Sequence, residues 1–307
     1  MKTVYFDNAA TTKIKSEVLN EMLPYLSTNY GNASSIYKIG KDSKQAIEYA
    51  RKQVASLINC ESNEIYFTSC GTESDNTALK GFAYANKNKG NHIITSKIEH
   101  PAILETCKFL ESQGFDITYI SVNSDGFIKL NELENSIRPT TILISIMFAN
   151  NEIGTIQPIK EISKIAHKNN IIFHTDAVQA VGNCLIDVKS MGIDSLSLSG
   201  HKIHAPKGIG ALYVRNGVDF VPFMNGGHQE NNKRAGTENV AEIVGLGKAS
   251  EMAQKNLMTH INYLLKLRNH YLTCLENNFQ GKYRINGSLE NRLPRKFKCF
   301  IFKFKFI

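Results

Sequence analysis

Ser197-Leu198-Ser199-Gly200-His201-Lys202-Ile203-His204-Ala205-Pro206-Lys207-Gly208-Ile209-Gly210 joins two short runs, 195–199 and 210–214, that both read as strands. Between them lies a loop dense in glycine, serine and histidine around one lysine. A lysine just past a strand end, with small hydroxyl and glycine neighbours, suits a Schiff base formed beside a phosphate. Lysines taken singly are solvated surface groups, so it is the density of the whole string that singles out Lys202.

Working outward, further strands are expected at 64–68, 92–96, 118–121, 141–148 and 171–175. Amphipathic stretches at 41–58, 74–87, 102–113 and 159–169 read as the helices between them. That alternation predicts βαβ crossovers, hence an α/β fold with a mainly parallel sheet flanked by helices. A long helical stretch from about 240 to 277 leads toward a smaller α+β domain. A chain of 307 residues can hold one large and one smaller domain. The expected division is 13–254 for the large domain, with 1–12 and 255–307 forming an incomplete small one.

Three other segments carry residues suited to a ligand. Thr68-Ser69-Cys70-Gly71-Thr72-Glu73-Ser74-Asp75-Asn76 sits where a strand meets a helix. Free N–H groups there would cradle a phosphate, although plain helix capping explains the same residues. Phe173-His174-Thr175-Asp176-Ala177-Val178-Gln179 ends an apolar strand in a carboxylate, the place where open α/β sheets bind ligands. Asp176 could hold a pyridinium nitrogen protonated, or simply begin a loop. Gly226-Gly227-His228-Gln229-Glu230 and Arg234-Ala235-Gly236-Thr237-Glu238-Asn239 could wrap an anion, or form a turn capped by Thr237.

Composition narrows the classes. The net charge of +8 falls to +3 once the five basic residues of 295–307 are set aside, so the folded part lacks the charge expected of a nucleic-acid face. No apolar run is long enough for a membrane span, and the N-terminus has no apolar signal core, which predicts a cytoplasmic protein. Cys60, Cys70, Cys107, Cys184, Cys274 and Cys299 show neither a CxxC pair nor zinc-ligand spacing. Free thiols and no metal are expected.

Together the motifs resemble the class V aminotransferase group of fold-type I pyridoxal 5′-phosphate (PLP) enzymes, and within it the NifS/IscS-type cysteine desulfurases. The resemblance also runs through Tyr5-Phe6-Asp7-Asn8-Ala9-Ala10-Thr11-Thr12, Tyr30-Gly31-Asn32-Ala33-Ser34-Ser35, Thr95-Ser96-Lys97-Ile98-Glu99-His100 and Asn150-Asn151-Glu152-Ile153-Gly154, in one order across 1–294. It implies PLP as cofactor, bound covalently by Lys202, with His100 stacked on the ring and moving protons. Asp176 would pair with the ring nitrogen, and Gln179 and Asn151 would contact the ring side. Thr72, Ser199 and His201 would bind the phosphate, with Gly71 and Gly200 also in the cofactor site, and Thr237 would reach the phosphate held by a partner subunit. The resemblance thus implies a homodimer taking L-cysteine to L-alanine and passing sulfur to an iron–sulfur scaffold or another acceptor protein. A different class V reaction, transamination or selenocysteine lysis, and a PLP-binding protein without turnover are the alternatives.

The resemblance ends at Pro294. In the family a cysteine on a mobile loop takes the sulfur and an arginine clamps the substrate carboxylate, and beyond Pro294 this chain has neither motif. Its last segment, Arg295-Lys296-Phe297-Lys298-Cys299-Phe300-Ile301-Phe302-Lys303-Phe304-Lys305-Phe306-Ile307, reads as out of frame. Encoded AGG AAA TTT AAA TGT TTC ATT TTT and read one base later, it yields Gly-Asn-Leu-Asn-Val-Ser-Phe, which is family-like. A truncated chain impaired in sulfur transfer is the expectation. The rival reading takes the Lys/Phe alternation over 302–306 as an edge strand.

Overall fold

The computed structural model describes residues 4–302. Helices α1 (Ser16–Ser27) and α2 (Lys38–Ile58) precede β1 (Ile65–Thr68). Then come α3 (Gly71–Ala85), β2 (His92–Ser96), α4 (Pro101–Ser112) and β3 (Asp116–Ile120). After α5 (Leu130–Ser136), β4 (Thr141–Ser145), α6 (Ile159–Lys168) and β5 (Ile172–Asp176) form one more crossover. The short α7 (Val188–Met191) leads to β6 (Ser195–Ser199) and β7 (Gly210–Val214). The long α8 (Val240–Phe279) is followed by a two-stranded ribbon of β8 (Tyr283–Ile285) and β9 (Cys299–Ile301).

The main sheet has the order β1-β7-β6-β5-β4-β2-β3. Strands β3, β2, β4, β5 and β6 run parallel, as the alternation predicts, while β7 is antiparallel to both β6 and β1. The loop between β6 and β7 is too short for a crossover helix, so the chain must turn straight back. Both faces are buried. Ile94, Ile144 and Tyr213 point into one apolar cluster, and their neighbours Ile93, Leu143 and Leu212 into the other. That is why the central strands read as continuous apolar runs. β6 breaks the rule with three buried serines, two of which find partners: Ser195 Oγ donates to Tyr213 O at 2.8 Å, and Ser197 Oγ lies 3.1 Å from His174 Nε2.

α8 packs along α1 and α2, and glycine sets the closeness. A Cβ on Gly247 would stand 2.6 Å from Ala50 Cα. The domain boundary expected at 254/255 falls inside this 40-residue helix. Among the described residues no helix is long and apolar enough to cross a membrane.

The structure differs from the expectation in several places. α3 begins at Gly71 rather than 74, so the glycine and Thr72 belong to its first turn. The strand expected at 141–148 ends as regular pairing at Ser145. α1, α5 and α7 went unpredicted; the last two are short, and α1 contains Pro24. Part of the tail does pair, since β9 runs antiparallel to β8. The Lys/Phe alternation at 303–306 and residues 1–3 of the expected small domain lie outside the described residues.

Candidate functional site

The C-terminal ends of the parallel strands and the N-terminus of α3 enclose a cavity of about 540 Å³. Of the residues singled out from sequence, Gly71, Thr72, His100, Asn151, Asp176, Gln179, Ser199, His201 and Lys202 line it. Gly200 lies buried under the wall, where a Cβ would meet Ile209 Cγ2 at 2.8 Å. Thr237 is exposed and does not line the cavity of its own chain.

Lys202 follows β6 in a single 3₁₀ turn, Gly200–Lys202. Its ammonium donates to Ala9 O at 2.5 Å and Ala10 O at 2.8 Å. The 7–12 segment is sewn to this turn by further bonds: Thr12 Oγ1 donates to His201 O at 2.8 Å, and His204 N donates to Thr12 Oγ1 at 2.8 Å. Two motifs far apart in sequence thus form one wall. Burial lowers the Lys202 pKa, and the charges of Arg295 and Lys296 lower it further, against the opposite pull of Asp176 and Asp7. His201 is pushed down to about 4, by burial first and then by Lys202 and Lys207. It is therefore a neutral imidazole at pH 7, hydrogen-bonded through Nδ1 to Thr11 Oγ1 at 3.1 Å.

The opposite wall is acidic. Asp176 ends β5 and accepts a hydrogen bond from Val178 N at 2.9 Å. Asp75, on α3, lines the same wall, is 1% exposed, and leaves Oδ1 without a hydrogen-bond partner. Burial raises the pKa of both, and the charge of Asp176 raises that of Asp75 again. Behind them His174 is held down to about 3 by burial, so the imidazole between Ser145 Oγ and Ser197 Oγ is neutral. Glu99, just outside the cavity, is raised to about 8 by burial although Met147 N and Ser96 Oγ both donate to it.

His100 is the N-cap of α4, with Nδ1 accepting from Ala102 N at 3.1 Å. An accepting Nδ1 places the proton of the neutral ring on Nε2. Helix capping and cavity lining, which compete as readings of the sequence, coexist in this residue. At α3 no side chain caps the end. Its first N–H groups have no intrahelical acceptor and face the cavity beside Thr72.

The cavity is thus polarised, with a nucleophilic amine, a helix N-terminus for an anion and a buried carboxylate for a cation. That donor set fits a ligand with a phosphate at one end and a protonatable ring nitrogen at the other. The fit is tight at Gly71, where a Cβ would stand 2.6 Å from Val178 Cγ2.

Two expectations change. Arg234 does not offer a free anion hook, because its Nε donates to Glu73 Oε1 at 2.8 Å. The cap of α8 is Asn239, which accepts from Glu242 N, not Thr237. Sequence reasoning also gave no role to Asp75, although its place one turn after Gly71 on the cavity face signals it. Nor did it expect the tail here. Lys296, Phe297 and Lys298 line the mouth, and Arg295 donates to Lys202 O at 3.3 Å and Gln179 Oε1 at 3.0 Å. Of the described cysteines, Cys70 alone lines the cavity, and Cys299 lies in β9.

Residues 4–303 match the family model described as aminotransferase class-V, extending past Pro294. The chain is 60% identical over 292 residues to cysteine desulfurase IscS of Methanosarcina thermophila, covering 95% of this chain and 72% of the relative. It is 52% identical over 295 residues to cysteine desulfurase IscS of Clostridium botulinum, covering 95% and 74%. Among solved structures, a NifS-like protein superposes with a TM-score of 0.91 at 42% identity, covering 95% of this chain and 80% of that one. A second, SspA in complex with cysteine, gives 0.87 at 40% identity, covering 97% and 84%.

Proposed function

The chain belongs to the cysteine desulfurases of the class V aminotransferase family, and we propose that its cavity holds PLP on Lys202 and receives L-cysteine. The observation that carries this reading is the placement of Lys202, Asp176 and the uncapped α3 N-terminus around one cavity. When bound, PLP supplies an electron sink that labilises bonds at the α-carbon of an amino acid. The rest is the work of the chain's own side chains.

Lys202 must shed a proton to become a nucleophile, and its burial beside Arg295 and Lys296 favours the neutral amine. Asp176 would hold the proton on the ring nitrogen of a bound cofactor. Burial, and then the charge of Asp176, raise the Asp75 pKa, which favours leaving the negative charge on Asp176. Thr72, Ser199, neutral His201 and the first N–H groups of α3 would bind the phosphate without a full positive charge. His100 presents Nε2–H over the cavity for proton movement. Gln179 and Asn151 would contact the ring side of the cofactor. In a homodimer, exposed Thr237 is free to reach the phosphate of the neighbouring cavity.

The finer reading concerns sulfur. A persulfide needs a thiol close to the substrate, and Cys60, Cys107, Cys184, Cys274 and Cys299 do not line the cavity. Cys70 does, but beside the phosphate cradle. A polypeptide of these 307 residues is therefore expected to bind PLP and cysteine yet release alanine slowly, with the sulfur acceptor supplied from outside this cavity. The experiment is a PLP titration of purified apoprotein followed by visible absorbance, with Lys202→Ala alongside, then cysteine addition with alanine and sulfide measured. A Lys202-dependent band perturbed by cysteine, with little alanine, supports both parts. Ordinary desulfurase turnover removes the second, and absence of the band removes the first. The cytoplasm, where thiols stay reduced, is the compartment this chemistry suits.

A further inference from the structure

Glu230, Asn231 and Asn232 are three consecutive residues in the left-handed region, at φ 46°, 55° and 65°. None is glycine. Such a turn persists only where its surroundings over-determine it. Two ion pairs do so. The Glu230 carboxylate is buried and accepts from Arg51 Nη1 at 2.7 Å, Arg51 Nη2 at 2.8 Å and Phe67 N at 2.8 Å. Arg51 in turn donates to Ile65 O at 2.8 Å, so α2, β1 and the turn meet at one buried junction.

The second pair lies on the far side of the turn. Arg234 Nε donates to Glu73 Oε1 at 2.8 Å, and Glu73 Oε2 accepts from Ser69 N at 2.7 Å. Ser69 begins the turn that enters α3 at the cavity. Within the loop, Gly236 N donates to Gln229 Oε1 at 3.1 Å, and His228 Nδ1 lies 2.6 Å from Asn232 Oδ1. Yet the tip that these contacts hold, Gly236-Thr237, is exposed. Strain fixed by buried charge around an exposed tip is the mark of a segment shaped for something outside its own chain.

Building on the proposed PLP site and dimer, we propose that Glu230 and Arg234 are positioning residues that hold this left-handed turn so that Thr237 completes the phosphate site in the cavity of a second copy of the chain. The pairs act through placement and touch no ligand. Arg234 does more than brace, because its partner Glu73 also orders the phosphate turn of its own cavity. One guanidinium thus links the site its chain contains to the site its chain completes.

The test compares two probes that differ by the phosphate alone, PLP and pyridoxal, titrated into apoprotein whose dimer is verified by sedimentation. Arg234→Lys keeps the charge and loses the fork; Glu73→Gln removes the same pair from the other side, and Glu230→Gln loosens the other anchor. In each, PLP affinity is expected to fall about tenfold while pyridoxal affinity stays within about twofold. Adding Thr237→Ala to Arg234→Lys should cost little more, since both act on one contact. Equal weakening of both probes, or no change in either, overturns the inference, as does full additivity with Thr237→Ala. Failure of the unsubstituted protein to bind either probe overturns the PLP reading and this inference with it. If that protein binds PLP and pyridoxal equally well, the PLP reading survives and the inference alone is lost.

Discussion

The floor and the mouth of the cavity are built by different means. The floor is made of strand ends and helix starts, where Asp75, Asp176, Ser199 and Gly200 are buried. Backbone position there follows from the sheet, and little could shift without breaking a strand. The mouth is closed by Lys296, Phe297 and Lys298, partly exposed residues held by a few side-chain contacts such as the ion pair between Lys298 and Glu152. The floor, where the proposed cofactor would sit, is thus fixed by the fold, whereas the mouth depends on a short segment laid over it. Changes in the floor should be costly and specific, and changes at the mouth mild.

Beneath the floor, Arg51→Ala gives the largest expected effect on stability. It would leave Glu230 buried and unpaired, and losing one partner of such a pair costs about 3–5 kcal/mol. A fall in melting temperature of roughly 10 °C, read by thermal denaturation, is expected. A shift of one or two degrees would mean that the junction between α2, β1 and the turn is not the anchor described. Within the floor, Asp176→Asn should weaken PLP by about tenfold to a hundredfold, the range for a hydrogen bond to a charged group. An unchanged affinity would remove Asp176 from the ring nitrogen.

Asp75→Asn separates charge from shape. The folded pKa of Asp75 is raised, so its favourable contribution is full below the ordinary carboxylate pKa and is lost as pH climbs through the folded value. The substitution should leave stability at pH 4 nearly unaltered and raise the melting temperature at pH 8 by a few degrees. Equal melting shifts at both values would contradict a proton held at this position. At the mouth, Lys296→Ala has the smallest expected effect. Its charge helps to lower the Lys202 pKa, so removing it should move the pH midpoint for PLP attachment upward. The shift should be about half a pH unit, since a partly screened charge contributes under about 1 kcal/mol. A larger shift would place the mouth on a par with the floor.

The same division explains what could be read from the sequence. Parallel strands buried on both faces announce themselves as apolar runs, so the strands expected at 92–96, 141–148 and 171–175 were legible to within a few residues, and so was the loop that bears Lys202. Residues that converge from strand ends were legible because each motif lies at such an end. The start of α3 was placed late, at 74, although the glycine of the cradle motif is a first-turn residue packed against Val178. Arg234 looked like an anion ligand because its partner, Glu73, lies far away in sequence and on another element. The mouth was illegible for a related reason. Arg295 to Lys298 match no motif, and their approach to Lys202 depends on how Arg292 and Leu293 pack against Thr155 and Gly154.

The central claim is that Lys202 carries the cofactor. Incubation with PLP, reduction by borohydride and peptide mass mapping tests it directly, because reduction makes the lysine–cofactor bond permanent. A single pyridoxyl adduct on the peptide containing Lys202, lost in Lys202→Ala, is the predicted result. An adduct on Lys296 or Lys207 instead, or none above the level of surface lysines, would contradict it.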